Sequence, residues 1–156
     1  MELKKLESSM NTVTSTHQTE SSVVDKPISK VWEELKLFNF EKLFPTNVKS
    51  LKFTGGNCND ARGVFDLTYS DGSVWSYGIL EVSDQKRKIS FELIEATPEV
   101  SFTSVQHTIK LIKVTAENNT FIEWSSDYTN DVNSHIIQDS KYKKLECFAD
   151  MKKYFS

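Results

Sequence analysis

The chain has 156 residues, 38% hydrophobic and 26% charged, with a formal charge of -3 and two cysteines. That length suits one domain whose core forms without disulfide or metal staples. The negative balance argues against a nucleic-acid binder working through bulk positive charge, and no run approaches the ~18 apolar residues of a membrane span.

Residues 1–16, MELKKLESSMNTVTST, are Ser-, Thr- and charge-rich without sustained periodicity and are expected to form a flexible tail ahead of one ligand-binding domain at 17–156. No apolar leader segment follows Met1, so the expectation is a cytoplasmic protein with Cys58 and Cys147 as reduced thiols. From His17 the pattern turns structural. HQTESSVVDK reads as a strand bounded by Pro27, and Pro27 suits the first turn of a helix. Ile28, Val31, Trp32, Leu35 and Phe38 then recur on one face, which predicts a helix over about 27–38. Asn39 is placed to cap a second short helix carrying Phe40, Leu43 and Phe44, stopped by Pro45.

After Pro45 the period changes from 3.6 to 2. VKSLKF, GVFDLTY, SVWSYGILEV, KISFELIE, SVQHTIKLIKV and TFIEWSSDYT read as strands. Turn signals at Thr54-Gly55-Gly56-Asn57, Asp71-Gly72 and Glu117-Asn118-Asn119 make them sequential antiparallel neighbours. The segment from Ser134 to Phe155 reads as one long amphipathic helix. Ile137, Leu145, Phe148, Met151 and Phe155 form its apolar stripe, and Lys141, Lys143, Lys144, Lys152 and Lys153 its solvated side. The predicted class is α+β: a curved seven-stranded antiparallel sheet, two short helices after its first strand, and a long C-terminal helix in its concave side.

This order resembles the helix-grip fold of the SRPBCC superfamily, which includes START lipid-transfer domains, birch-pollen-allergen-like proteins, plant abscisic-acid receptors and the polyketide cyclase/dehydrase group. The local phrases are most similar to the last. Val24-Asp25-Lys26-Pro27-Ile28-Ser29-Lys30-Val31-Trp32 resembles its strand-to-helix opening, and Phe40-Glu41-Lys42-Leu43-Phe44-Pro45-Thr46-Asn47-Val48 its second-helix phrase. Gly63-Val64-Phe65 with Asp71-Gly72-Ser73-Val74, then Ile79-Leu80-Glu81-Val82-Ser83-Asp84 with Ile89-Ser90-Phe91, resemble successive hairpins; Phe121-Ile122-Glu123-Trp124 resembles the last strand. The chain departs from the pollen-allergen branch at Gly55-Gly56-Asn57-Cys58-Asn59, a reduced version of its glycine-rich loop, and the receptors' gate loops are not recognisable.

The resemblance implies a cavity between sheet and last helix, and strand alternation nominates its lining. Val105, His107, Ile109 and Leu111 alternate against Gln106, Thr108 and Lys110; Trp75, Tyr77 and Ile79 share a face, as do Phe91 and Leu93. Trp124, Leu145 and Phe148 complete the candidate ligand-binding set. Ile122-Trp124 and Phe121-Glu123 remain equal candidates for the inner face. Trp75 and Tyr77 also read as ordinary core aromatics, and His107 as a satisfied structural histidine. Glu81 and Glu123 qualify as head-group partners only if buried. His17, His107 and His135 are scattered and no Cys-x-x-Cys, Gly-x-Ser-x-Gly or phosphate-loop motif occurs, so no metal, cofactor or catalytic residue is assigned.

The favoured function is a carrier or sensor of a small hydrophobic ligand such as a lipid, sterol or polyketide-like metabolite, working as a monomer or weak dimer. One alternative is a cyclase or dehydratase using the same cavity, which needs a titratable group inside it. The other is a protein-interaction domain that presents the convex face, where Lys49, Lys52, Asp66 and Thr68 alternate outward.

Overall fold

The structure, a computed structural model, describes residues 15–156. The expected tail therefore lies almost wholly outside the described residues; Ser15 and Thr16 are seen, and the Thr16 carbonyl accepts from Tyr128 N–H. The chain runs β1 (His17–Val24), α1 (Ile28–Leu35), α2 (Phe40–Leu43), β2 (Val48–Gly55), β3 (Val64–Tyr69), β4 (Val74–Ser83), β5 (Lys88–Thr97), β6 (Val105–Val114), β7 (Asn119–Tyr128) and α3 (Ser134–Tyr154). All strands join one antiparallel sheet in the order β1-β7-β6-β5-β4-β3-β2. This is the predicted helix-grip α+β architecture.

The connections follow from local chemistry. Gly72 sits at φ +91 in the β3–β4 turn, a conformation that costs a side-chain-bearing residue energy but glycine little. Asp71 completes that turn by accepting from Ser73 N and Oγ. Register shifts in the β2–β3 and β4–β5 ladders mark bulges, which bend the strands and deepen the sheet's curvature.

α1 buries Val31, Trp32 and Leu35, as its stripe predicts, and Trp32 Nε1 donates to Asp84 in the β4–β5 turn at 2.7 Å. The helix is shorter than expected because Phe38 turns left-handed (φ 57) and swings its ring into the core. Burying that ring against four other phenylalanines offsets the backbone cost of roughly 1–3 kcal/mol. Asn39 does not cap α2 with its side chain; it donates to Glu34 instead.

α3 corrects the predicted stripe. Phe148, Met151 and Phe155 are buried and Ile137 packs partly, but Leu145 is 41% exposed while Lys144 is 2% exposed. Helix geometry explains the exchange. Ile137, Ser140, Lys144, Cys147, Phe148, Met151 and Phe155 follow one line along a 3.6-residue repeat, and Leu145 lies about 100° round from Lys144. Its apolar character earns it no place in the core, whereas Lys144 sits mid-stripe.

Candidate functional site

Between α3 and the concave face of the sheet lies a cavity of about 130 Å³. Its mouth is framed by Asp71 and Ser73 of the β3–β4 turn and by Ile136, Asp139 and Lys143 of α3. This frame is tied together. Ser70 Oγ donates to the Thr46 carbonyl at 2.8 Å, and Thr46 N and Oγ1 donate to Asp150 of α3 at 2.8 and 2.7 Å. Asn133 caps α3 by accepting from Ile136 N–H at 3.0 Å.

Alternation delivers the walls. On β7 the inward set is Thr120, Ile122, Trp124, Ser126 and Tyr128, which resolves the open choice in favour of Ile122-Trp124. Trp75, Tyr77, Phe91, His107 and Trp124 all line the cavity. Ile79, Leu93, Val105, Ile109 and Phe148 are buried in the core beside it without lining it, and Leu145 points to solvent. Glu81 pairs with Lys88 at 3.1 Å, and Glu123 alternates against the inward β7 set, so neither carboxylate reaches the interior.

The polar groups inside form three small networks. His107 Nδ1 lies 2.6 Å from Ser126 Oγ and 3.3 Å from Trp124 Nε1. An indole N–H only donates, so Nδ1 is the acceptor and the ring proton sits on Nε2. Burial, reinforced by the Lys144 charge, lowers the His107 pKa to about 3, which keeps the imidazole neutral. The Tyr69 and Tyr77 hydroxyls meet at 2.9 Å, and burial raises both phenols well above their ordinary range.

Lys144 anchors the third network and is one of the residues that sequence reasoning missed. Its Nζ donates to Gln18 Oε1 of β1 and to Ser140 Oγ at 2.7 Å, and stands 5.8 Å from the centre of the Trp124 ring. Gln18 Nε2 in turn donates to Glu20 at 3.0 Å. No carboxylate lies within ion-pair distance of Nζ among the described residues. Burial lowers the Lys144 pKa to about 8, the Glu20 charge opposing that shift. Cys147, one turn on, also lines the cavity, and burial pushes its thiol up to about 12, so it is no thiolate nucleophile. Among the described residues no three His, Cys, Asp or Glu side chains group as a metal site, and no helix is long and apolar enough to cross a membrane.

The missed signals were present in the pattern. The alternation that puts Asp66 and Thr68 outside puts Tyr69 inside, and a lysine in the middle of an apolar helical stripe is a buried-cation signal. Tyr128 belongs to the inward β7 set by the same count.

No family model and no curated protein sequence matches this chain. Solved structures do. A protein from Nitrosospira multiformis is 22% identical with a TM-score of 0.79, over 90% of this chain and 96% of that one. The protein XoxI from Bacillus cereus is 22% identical with a TM-score of 0.78, over 90% and 95%. The ginseng major latex-like protein 151 from Panax ginseng is 15% identical with a TM-score of 0.72, over 89% and 96%. Ara h 8.0201 matches at 18% identity and a TM-score of 0.72, again over 89% and 96%. These likenesses place the chain in the birch-pollen-allergen-like helix-grip fold.

Proposed function

We propose that the protein binds a small apolar or amphipathic molecule between the sheet and α3, as a carrier or sensor without turnover. The observation that carries this reading is an aromatic-walled cavity in which a few polar groups converge, the usual make-up of a small-molecule site. Its size narrows the ligand. A cavity of roughly 150 Å³ accepts one benzene ring, whereas sites for drug-sized molecules span about 300–1,000 Å³. At about 130 Å³ the cavity suits one ring or a short branched chain, and a sterol or long acyl chain requires α3 to move outward.

The enzyme alternative is less well supported. A general base works best with a pKa near the operating pH, and His107 is held neutral far below that range with its acceptor nitrogen already occupied. Calorimetric titration of benzyl alcohol, a neutral ring of suitable size, tests the binding reading. Saturable one-to-one binding at about millimolar Kd or tighter is expected in the wild type. Ile136→Trp, which fills the mouth, should abolish it with the fold intact. Absence of saturable binding in the folded wild type would overturn the reading.

A further inference from the structure

Lys144, His107 and the Tyr69–Tyr77 pair bring mainly N–H and O–H donors to the cavity. Lys144 contributes an ammonium with three N–H donors, two of them engaged by Gln18 and Ser140. His107 contributes Nε2–H, which has no hydrogen-bond partner among the described residues. The Tyr69–Tyr77 pair uses one hydroxyl proton between its oxygens and leaves the other free. Among the described residues no carboxylate balances these donors from within. Asp139 is at the mouth, mostly exposed and paired with Lys143 at 2.9 Å, and Asp71 is committed to the β3–β4 turn. Glu20 reaches Lys144 only through the Gln18 amide.

A buried cation without an ion-pair partner is costly to keep, and an acceptor-only anion entering beside it would gain both charge and hydrogen bonds. On the reading that this cavity binds a small molecule, we infer that its ligand is a small monocarboxylate with a ring-sized or short branched apolar body, and that Lys144 is its counter-ion. The Trp124 indole supports this arrangement from both directions. Its ring lies 5.8 Å from Lys144 Nζ and its centre 6.0 Å from that of His107, so the ammonium and the imidazole ring border the same aromatic wall. The apolar body then packs among Phe44, Trp75 and Phe91 while the carboxylate meets the Lys144 ammonium. Lys144 remains largely charged at neutral pH, since burial lowers its pKa only to about 8.

The test pairs phenylacetate with phenylacetamide, which share a body and differ in charge. Calorimetry on the wild type should give the acid at least tenfold tighter binding, and Lys144→Met should erase that preference. A second measurement needs no variant: the Lys144 Cε resonance, followed against pH, should titrate about one unit higher with saturating phenylacetate and not with phenylacetamide. Equal affinities for acid and amide would overturn this inference and leave the binding reading standing. Failure of both to bind would overturn the two together. A preference that persists in folded Lys144→Met, or an unmoved Lys144 titration if that variant fails to fold, would remove Lys144 from the site.

Discussion

Where the α1–α2 connection meets β2, β3 and β5, the rings of Phe38, Phe53, Phe65 and Phe91 interlock, with centroid separations of 5.3 to 6.3 Å. Under α3, Tyr69, Trp75 and Trp124 instead stand around a cavity of about 130 Å³. The strands supply aromatics to both regions by the same two-residue alternation. What differs is the opposing layer. The first region faces Phe38 and Phe40, two rings delivered by a sharp left-handed turn, and they fill the space. The second faces Ser140, Lys144 and Cys147, short or extended side chains that cannot. Tyr77 stands at the border, packed on Phe65 and Phe91 on one side and bonded to Tyr69 on the other. Alternation thus places an aromatic wall, and the layer opposite decides whether the wall becomes core or pocket.

The largest effect should come from breaking the filled region. Phe65 is fully buried, and Phe65→Ala should cost about 3–5 kcal/mol in urea unfolding. A loss under ~1 kcal/mol would mean the ring cluster is looser than its separations indicate.

His107 provides a pH-dependent break in the hollow region. Its folded pKa is depressed to about 3 from 6.5, so between those values the unfolded chain binds more protons and stability falls as pH falls. Going from pH 7 to pH 5 should remove about 2 kcal/mol that His107→Gln does not lose. Equal pH slopes in the two proteins would contradict the buried neutral imidazole.

Lys144→Met sharpens the comparison by removing the buried cation from the hollow region. Without ligand, replacing a buried, ion-unpaired cation should raise stability by about 1 kcal/mol, measured at neutral pH. The smallest effect belongs to Leu145: as a solvent-facing side chain, Leu145→Gln should stay within ~0.5 kcal/mol of wild type. A loss of several kcal/mol would restore it to the core stripe.

The fold was legible because strand alternation, the Asp71-Gly72 turn and the α1 stripe are local patterns with strong physical causes. The inward row Val105, His107, Ile109 and Leu111 was read correctly on the same basis, and all four are buried. The site was legible only in part. Trp75, Tyr77, Phe91 and His107 were nominated by alternation and do line the cavity, as does Trp124, whose face alternation left open. Lys144 was assigned to solvent because hydropathy outweighed rotation about the helix axis, and Leu145 took its place for the same reason. The cavity's size and position depend on Phe38 turning inward and on the side chains opposite the sheet, contacts between segments distant in sequence that no local pattern encodes.

The three tryptophan indole N–H resonances test the central claim most directly. Trp75 and Trp124 line the cavity, whereas Trp32 is held by Asp84 outside it. Titrating a ring-sized ligand into the wild type should move the Trp75 and Trp124 signals in a saturable manner and leave Trp32 in place. If Trp32 moves as much as the other two, or if none moves while the ligand binds, the ligand sits elsewhere and the hollow region is not the site.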